Sequence, residues 1–177
     1  MKKILTIVFL FVGIHFTVAQ SDPYIDSVKH YLTINGTQTQ YENAIDAMFV
    51  MLKKRFKAYG ISEAIWTELE SEKATHVEDI KSILVSAYKA YFTLNDIKNM
   101  TAFYESTAVK QMRADKTKLT DTQRQQIVNF YNSDTGLKMI DSREGLAKIE
   151  GEISQQWSGE LYKNVLAKLA AKGYSLD

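Results

Sequence analysis

The 177-residue chain has no cysteine, one proline, eight glycines and three histidines. Each scarcity removes something. Without cysteine there is no disulfide, no thiol nucleophile, no thiolate metal ligand and no lipid-modified cysteine behind a leader. With proline only at Pro23, nothing later in the chain forbids long helical ladders. Past the N-terminal stretch only His30 and His76 remain; zinc needs more nitrogen or sulfur ligands than two histidines readily supply, and no glycine-flanked serine elbow accompanies them for a triad. His30 and His76 read as surface residues. Glu72 and His76 stand four apart and can share a helical face, but no Glu-x-x-His pair of a helical di-iron site occurs. No phosphate-cradling glycine loop or dinucleotide fingerprint is present, and no cofactor is called for.

Charge of one sign is also lacking. Twenty-two basic residues face 21 acidic ones, with no basic stripe for nucleic acid and no lysine-rich amphipathic face for an anionic membrane.

What is there begins with a leader. Met1-Lys2-Lys3 precedes an apolar stretch, Ile4 to Ala19, that ends in the small-residue pattern Thr17-Val18-Ala19. It is 16 residues long and holds His15, shorter than the roughly 20 residues of a spanning helix. Cleavage after Ala19 is expected. It leaves 177 − 19 = 158 residues starting at Gln20, with 20 basic against 21 acidic residues and no transmembrane anchor. The expected location is periplasmic or secreted. A length of that order needs one hydrophobic core, so residues 20–177 are expected to form one domain.

The mature part is patterned as helix. Asp22-Pro23 is an N-cap with proline at the first helical position, Tyr24, Ile25, Val28, Tyr31 and Leu32 recur behind it at helical spacing, and Asn35-Gly36 stops the run. Tyr41, Ile45, Met48, Phe49, Leu52, Phe56 and Tyr59 lie on one face, closed by Gly60. Ser62 opens a short helix with Ile65, Trp66 and Leu69. Thr75-His76-Val77-Glu78 reads as a capping box ahead of Ile80, Leu84, Tyr88 and Tyr91. Near the C-terminus Leu146, Ile149, Ile153, Trp157, Leu161, Val165 and Leu169 form a drifting stripe, and Gly173 ends it. Gly145, Gly151 and Gly159 inside that run suggest close helix approach or a kink. No segment reads as strand. The expected fold is all-α: a multi-helix bundle with a long C-terminal helix.

One phrase occurs twice. Phe103-Tyr104-Glu105-Ser106 returns as Phe130-Tyr131-Asn132-Ser133, and each copy follows a threonine capping box, Thr93 with Asp96 and Thr120 with Gln123. Both copies read as capped helix, break, new helix. In the structural reading, which is favoured, the phenylalanine faces the core, the half-buried tyrosine has its hydroxyl bonded and the serine caps the next helix. In the functional reading Tyr104 and Tyr131 present hydroxyls to a ligand beside aromatic walls. Met48, Met51, Met100, Met112 and Met139 either fill the core, the preferred reading, or soften a groove.

These residues carry a resemblance. Residues from about Tyr88 to Trp157 resemble the bacterial domain-of-unknown-function family 2059, whose hallmark is an aromatic-Thr helix start, then Phe-Tyr-x-Ser/Thr-Pro-x-Gly-x-Lys, then a long helix with a Gln-Trp pair. Tyr91-Phe92-Thr93 matches the start, Phe130 to Lys138 matches the hallmark with Asp134 in the proline place, and Gln156-Trp157 matches the pair. The first copy keeps only Phe103 to Ser106, with Val109 in the glycine place. The resemblance implies an exported helical protein and supplies no catalytic residue. Phe103, Tyr104, Ser106, Phe130, Tyr131, Ser133, Gly136 and Trp157 are therefore structural candidates.

Two functions compete. The first is a non-enzymatic envelope module that binds a protein partner, itself or an apolar ligand. The second is an envelope hydrolase drawing a carboxylate pair from Glu63, Glu68, Glu72, Glu78 and Asp79. A closed core favours protein contact and a Met- and Tyr-lined cavity favours a ligand; two of those carboxylates about 5–10 Å apart in one cleft would favour the hydrolase.

Overall fold

Asp22 accepts the Tyr24 N–H at 2.9 Å and Pro23 takes the first helical position, so the first helix begins where the sequence puts it. The computed structural model describes residues 22–175; the expected leader and its cleavage point lie outside them. Among the described residues there are α1 (Pro23–Ile34), α2 (Thr37–Arg55), α3 (Glu63–Glu70), α4 (Lys73–Lys89), α5 (Leu94–Glu105), α6 (Thr107–Asp115), α7 (Asp121–Tyr131) and α8 (Asp134–Ala171). Two 3-10 turns, Lys57–Tyr59 and Lys116–Lys118, complete them, and no strand is present among them. The fold is all-α. Gly36, at φ 97°, makes the turn from α1 to α2 in the left-handed region that only glycine occupies cheaply.

One core joins α1 to α5 with the C-terminal half of α8. Leu32, Leu52, Ile80, Leu84, Ile97 and Leu169 have no exposure. The drifting stripe of α8 explains which half is covered. Trp157, Leu161, Val165 and Leu169 are buried, whereas Leu146, Ile149 and Ile153 are only half-buried. Trp157 packs edge-on against Tyr41 at 5.3 Å. Nearer its start, α8 leaves Leu137 and Ile140 exposed. The helix pair α6 and α7 lies beside this half: α6 buries Ala108 and Val109, and α7 buries nothing.

Several local expectations are corrected. Thr75 caps nothing, because the chain is already helical at Ser71 and Glu72, and α4 begins at Lys73. Ser62 holds the cap position of α3 without a side-chain bond. Helix α2 ends at Arg55, ahead of Gly60, and Tyr59 is exposed. Met100 is the one expected methionine that is fully buried; Met48, Met112 and Met139 are partly so, and Met51 faces solvent. Gly145 does serve a close approach, with the Tyr91 hydroxyl where a side chain would begin, but Gly151 and Gly159 have nothing beside them.

Candidate functional site

The duplicated phrase converges. Both capping boxes form: Thr93 with Asp96 starts α5, and Thr120 with Gln123 starts α7. Ser106 accepts the Val109 N–H and Ser133 the Gly136 N–H, each at 3.2 Å, so both serines are caps. Helices α5 and α7 then set their phenylalanines face to face: the Phe103 and Phe130 rings lie 3.7 Å apart and 3° from parallel. Phe103 is buried outside the main core cluster, and Phe130 is partly buried against it. The two anchors hold each other.

With the phenylalanines paired, the tyrosines beside them enter one cavity. It is a half-open cavity of about 420 Å³ and draws walls from five helices. Tyr31 comes from α1, Tyr88 from α4, Met100 and Tyr104 from α5, Tyr131 from α7, and Met139, Leu146 and Glu150 from α8. Phe92, just after α4, is held by its carbonyl, which accepts the Tyr24 hydroxyl at 3.0 Å. Tyr31 stands edge-on to both Tyr88 (5.7 Å) and Tyr104 (5.3 Å), which locks three of the rings. Tyr131, Ile140 and the exposed Arg143 form the outer wall. Tyr131 is 37% exposed, and its hydroxyl bonds to no described residue, unlike the expectation for it.

Electrostatics distinguish the inner wall. Burial, to which Glu150 adds, pushes the Tyr31 and Tyr88 hydroxyls far above their ordinary pKa, so both stay protonated. Burial also raises the Glu150 pKa, against the pull of a hydrogen bond from Tyr88. No lysine, arginine or histidine nitrogen comes within 4 Å of Glu150 among the described residues. The cavity can therefore hold an apolar or aromatic body and offer it a carboxylate, phenolic hydroxyls and, at the mouth, a guanidinium.

A larger groove of about 700 Å³ lies on the other side of the phenylalanine stack, between α5, α7 and the start of α8. Four of its polar side chains, Asp96, Asn99, Thr135 and Lys138, satisfy one another. Lys138 Nζ donates to Asp96 Oδ2 at 2.6 Å, Thr135 donates to Asp96 Oδ1 at 3.1 Å, and Asn99 donates to Thr135. Burial works to raise the Asp96 pKa, but bonds from Lys138, Thr93 and Thr135 outweigh it and hold the group at about 2. This closed network ties α5 to α8, and we assign the groove a structural role.

The hydrolase candidates do not meet in a cleft. Glu72 is held by Lys168 at 2.6 Å, Glu68 by Lys172 at 2.9 Å and Glu78 by Lys81 at 2.7 Å. Glu63 reaches Lys53 at 3.6 Å and is largely exposed, as is Asp79. None of the five lines either cavity. His30 is exposed and meets Glu105 at 2.9 Å. His76 is less open than expected: its side chain is 16% exposed and stands 3.6 Å from Glu72, one helical turn back. No group of three metal-ligating side chains forms among the described residues.

Sequence reasoning found Tyr104 and Tyr131 but favoured a purely structural role for them. It placed Tyr31 and Tyr88 in core stripes and passed over Arg143 and Glu150. A signal existed: Arg143, Leu146 and Glu150 step by three and four, in line with the apolar stripe of α8. Comparison with protein-family models, curated proteins and solved structures finds no match to this chain.

Proposed function

We propose that this chain is an exported, non-enzymatic binding module of the bacterial envelope that holds a small apolar or aromatic molecule in the tyrosine cavity. The observation that carries this reading is the convergence of Tyr31, Tyr88, Tyr104 and Tyr131, with Met100 and Met139, around about 420 Å³. Ligand pockets typically occupy about 300–1,000 Å³ and pair apolar walls with a few polar groups. Export rests on the leader pattern of residues 1–19, and the bacterial envelope on the resemblance to family 2059. The lysine-paired carboxylates of α3 and α4 weigh against the hydrolase.

The test is a neutral fluorescent probe, N-phenyl-1-naphthylamine, titrated into the purified protein. Saturable fluorescence with one site per chain is expected. Ala147 is exposed and lines the cavity, so Ala147→Trp places an indole in the space at little cost to folding. That variant should lose the signal. No saturable signal, or equal binding by the variant, overturns the reading.

A further inference from the structure

We infer that the tyrosine cavity recognises an organic cation, an ammonium group carried on an apolar or aromatic body, with Glu150 as its counter-ion. The inference rests on the cavity being a binding site and names what it takes.

Glu150 differs from Asp96, which has the Lys138 ammonium at 2.6 Å. Glu150 is half-buried on the cavity wall and is met only by the Tyr88 hydroxyl. Its charge is felt by Tyr31, Tyr41 and Tyr88, whose hydroxyls all become harder to ionise in its presence. Arg143 lines the same cavity but stands seven residues earlier on α8. Its guanidinium makes no ion pair with Glu150, whose pKa is set by burial and Tyr88 alone. A carboxylate withdrawn from water without a cation is unfavourable. A ligand ammonium supplies what the chain does not.

The rings support the same sign. Aromatic faces carry negative potential and attract ammonium groups, most strongly where water is excluded. Tyr31, Tyr88, Tyr104, Tyr131 and Phe92 surround the carboxylate's approach. One of these rings already accepts a cation: the Arg113 guanidinium stands 5.0 Å from the Tyr104 centroid while its nitrogens donate to the Ile34 and Asn35 carbonyls.

The test compares three probes with one body and different heads: 4-phenylbutylamine, 4-phenylbutanol and 4-phenylbutyrate, titrated calorimetrically at neutral pH. The amine is expected to bind at least tenfold tighter than the alcohol, and the butyrate most weakly. Glu150→Gln should erase the amine's advantage over the alcohol and weaken the amine far more than the alcohol. Its melting temperature should not fall, because burial raises the Glu150 pKa and the ionised carboxylate therefore opposes folding at neutral pH. If Glu150 merely pins Tyr88, the variant instead loses both probes together and melts earlier, which overturns the inference. So does an amine no tighter than the alcohol, a preference for butyrate, or an amine preference that survives in the variant. Alcohol binding without a gain for the amine removes the cation and keeps the cavity; failure of all three up to millimolar removes both. The probe comparison on the unaltered protein stands even where the variant does not fold.

Discussion

Gly136 is set by space rather than by backbone conformation. A β-carbon there would lie 2.1 Å from the Phe130 carbonyl oxygen and 2.7 Å from the Tyr131 Cα, both backbone atoms that cannot swing aside. The corner is tied by Ser133, whose hydroxyl donates to that same Phe130 carbonyl at 2.6 Å and accepts the Gly136 N–H. In the first copy Val109 occupies the equivalent place and is buried. The two copies have the same spacing, but at the second corner the last turn of α7 lies against Gly136, and only glycine fits there. Gly136→Ala is therefore expected to destabilise by about 1–3 kcal/mol, the usual effect of forcing atoms into filled space. Gly151, exposed in the middle of α8 with nothing within 4 Å, should behave in the opposite way. Gly151→Ala should stabilise by about 0.5–1 kcal/mol through helix propensity. Urea unfolding of the two variants checks both signs; equal effects would show that the corner yields.

The helices were legible in the sequence wherever a signal was complete within a few residues. Asp22-Pro23, Thr93 with Asp96, Thr120 with Gln123, Ser106 and Ser133 all cap as read, because a cap needs only its own next three residues. Thr75 failed because its residues were suitable but the helix had already begun, a decision made upstream at Ser71 and Glu72. The site was less legible. Tyr31 and Tyr88 were seen as stripe residues, but whether a stripe meets another helix or a space depends on partners far along the chain. The repeat also promised equivalent helices, yet α5 buries Ile97, Met100 and Phe103 while α7 buries none of its residues. Their phenylalanines are nonetheless one unit. Phe103→Ala, at the buried ring, should cost about 3–5 kcal/mol, and Phe130→Ala less because that ring is partly exposed. The double variant should cost less than the two together, by roughly 0.5–1.5 kcal/mol, since each single change already loses the stack. Strict additivity in a double-mutant cycle would mean that the stacked rings contribute only their separate burial.

Across the whole molecule the burial is uneven, and the cavity lies at the boundary. Helices α1, α4 and the C-terminal half of α8 carry the deepest residues, while α6 and α7 attach through a short buried pair, Ala108 and Val109, and the phenylalanine stack. Elements with few buried contacts open locally at less cost than global unfolding. Helix α7 is the clearest case, and Val128 and Tyr131 expose apolar surface on it. It is also the helix that supplies Tyr131 to the cavity, so the wall nearest solvent stands on the least anchored support. On the proposed reading a ligand would enter there without disturbing the core, and occupancy would be coupled to order in α7: a ligand that touches Tyr131 would favour the closed arrangement over the open one by mass action. Hydrogen exchange followed residue by residue should show α7 amides exchanging fastest among the helices and those of α1 and α4 slowest. Adding 4-phenylbutylamine should slow exchange at the C-terminal end of α7, and those amides of α1 and α4 that exchange only through global unfolding should slow by the full stabilisation that the ligand gives the folded state. Slow exchange in α7 of the free protein would contradict this division of stability, and protection confined to the core on adding the probe would show that the ligand does not reach the cavity through α7.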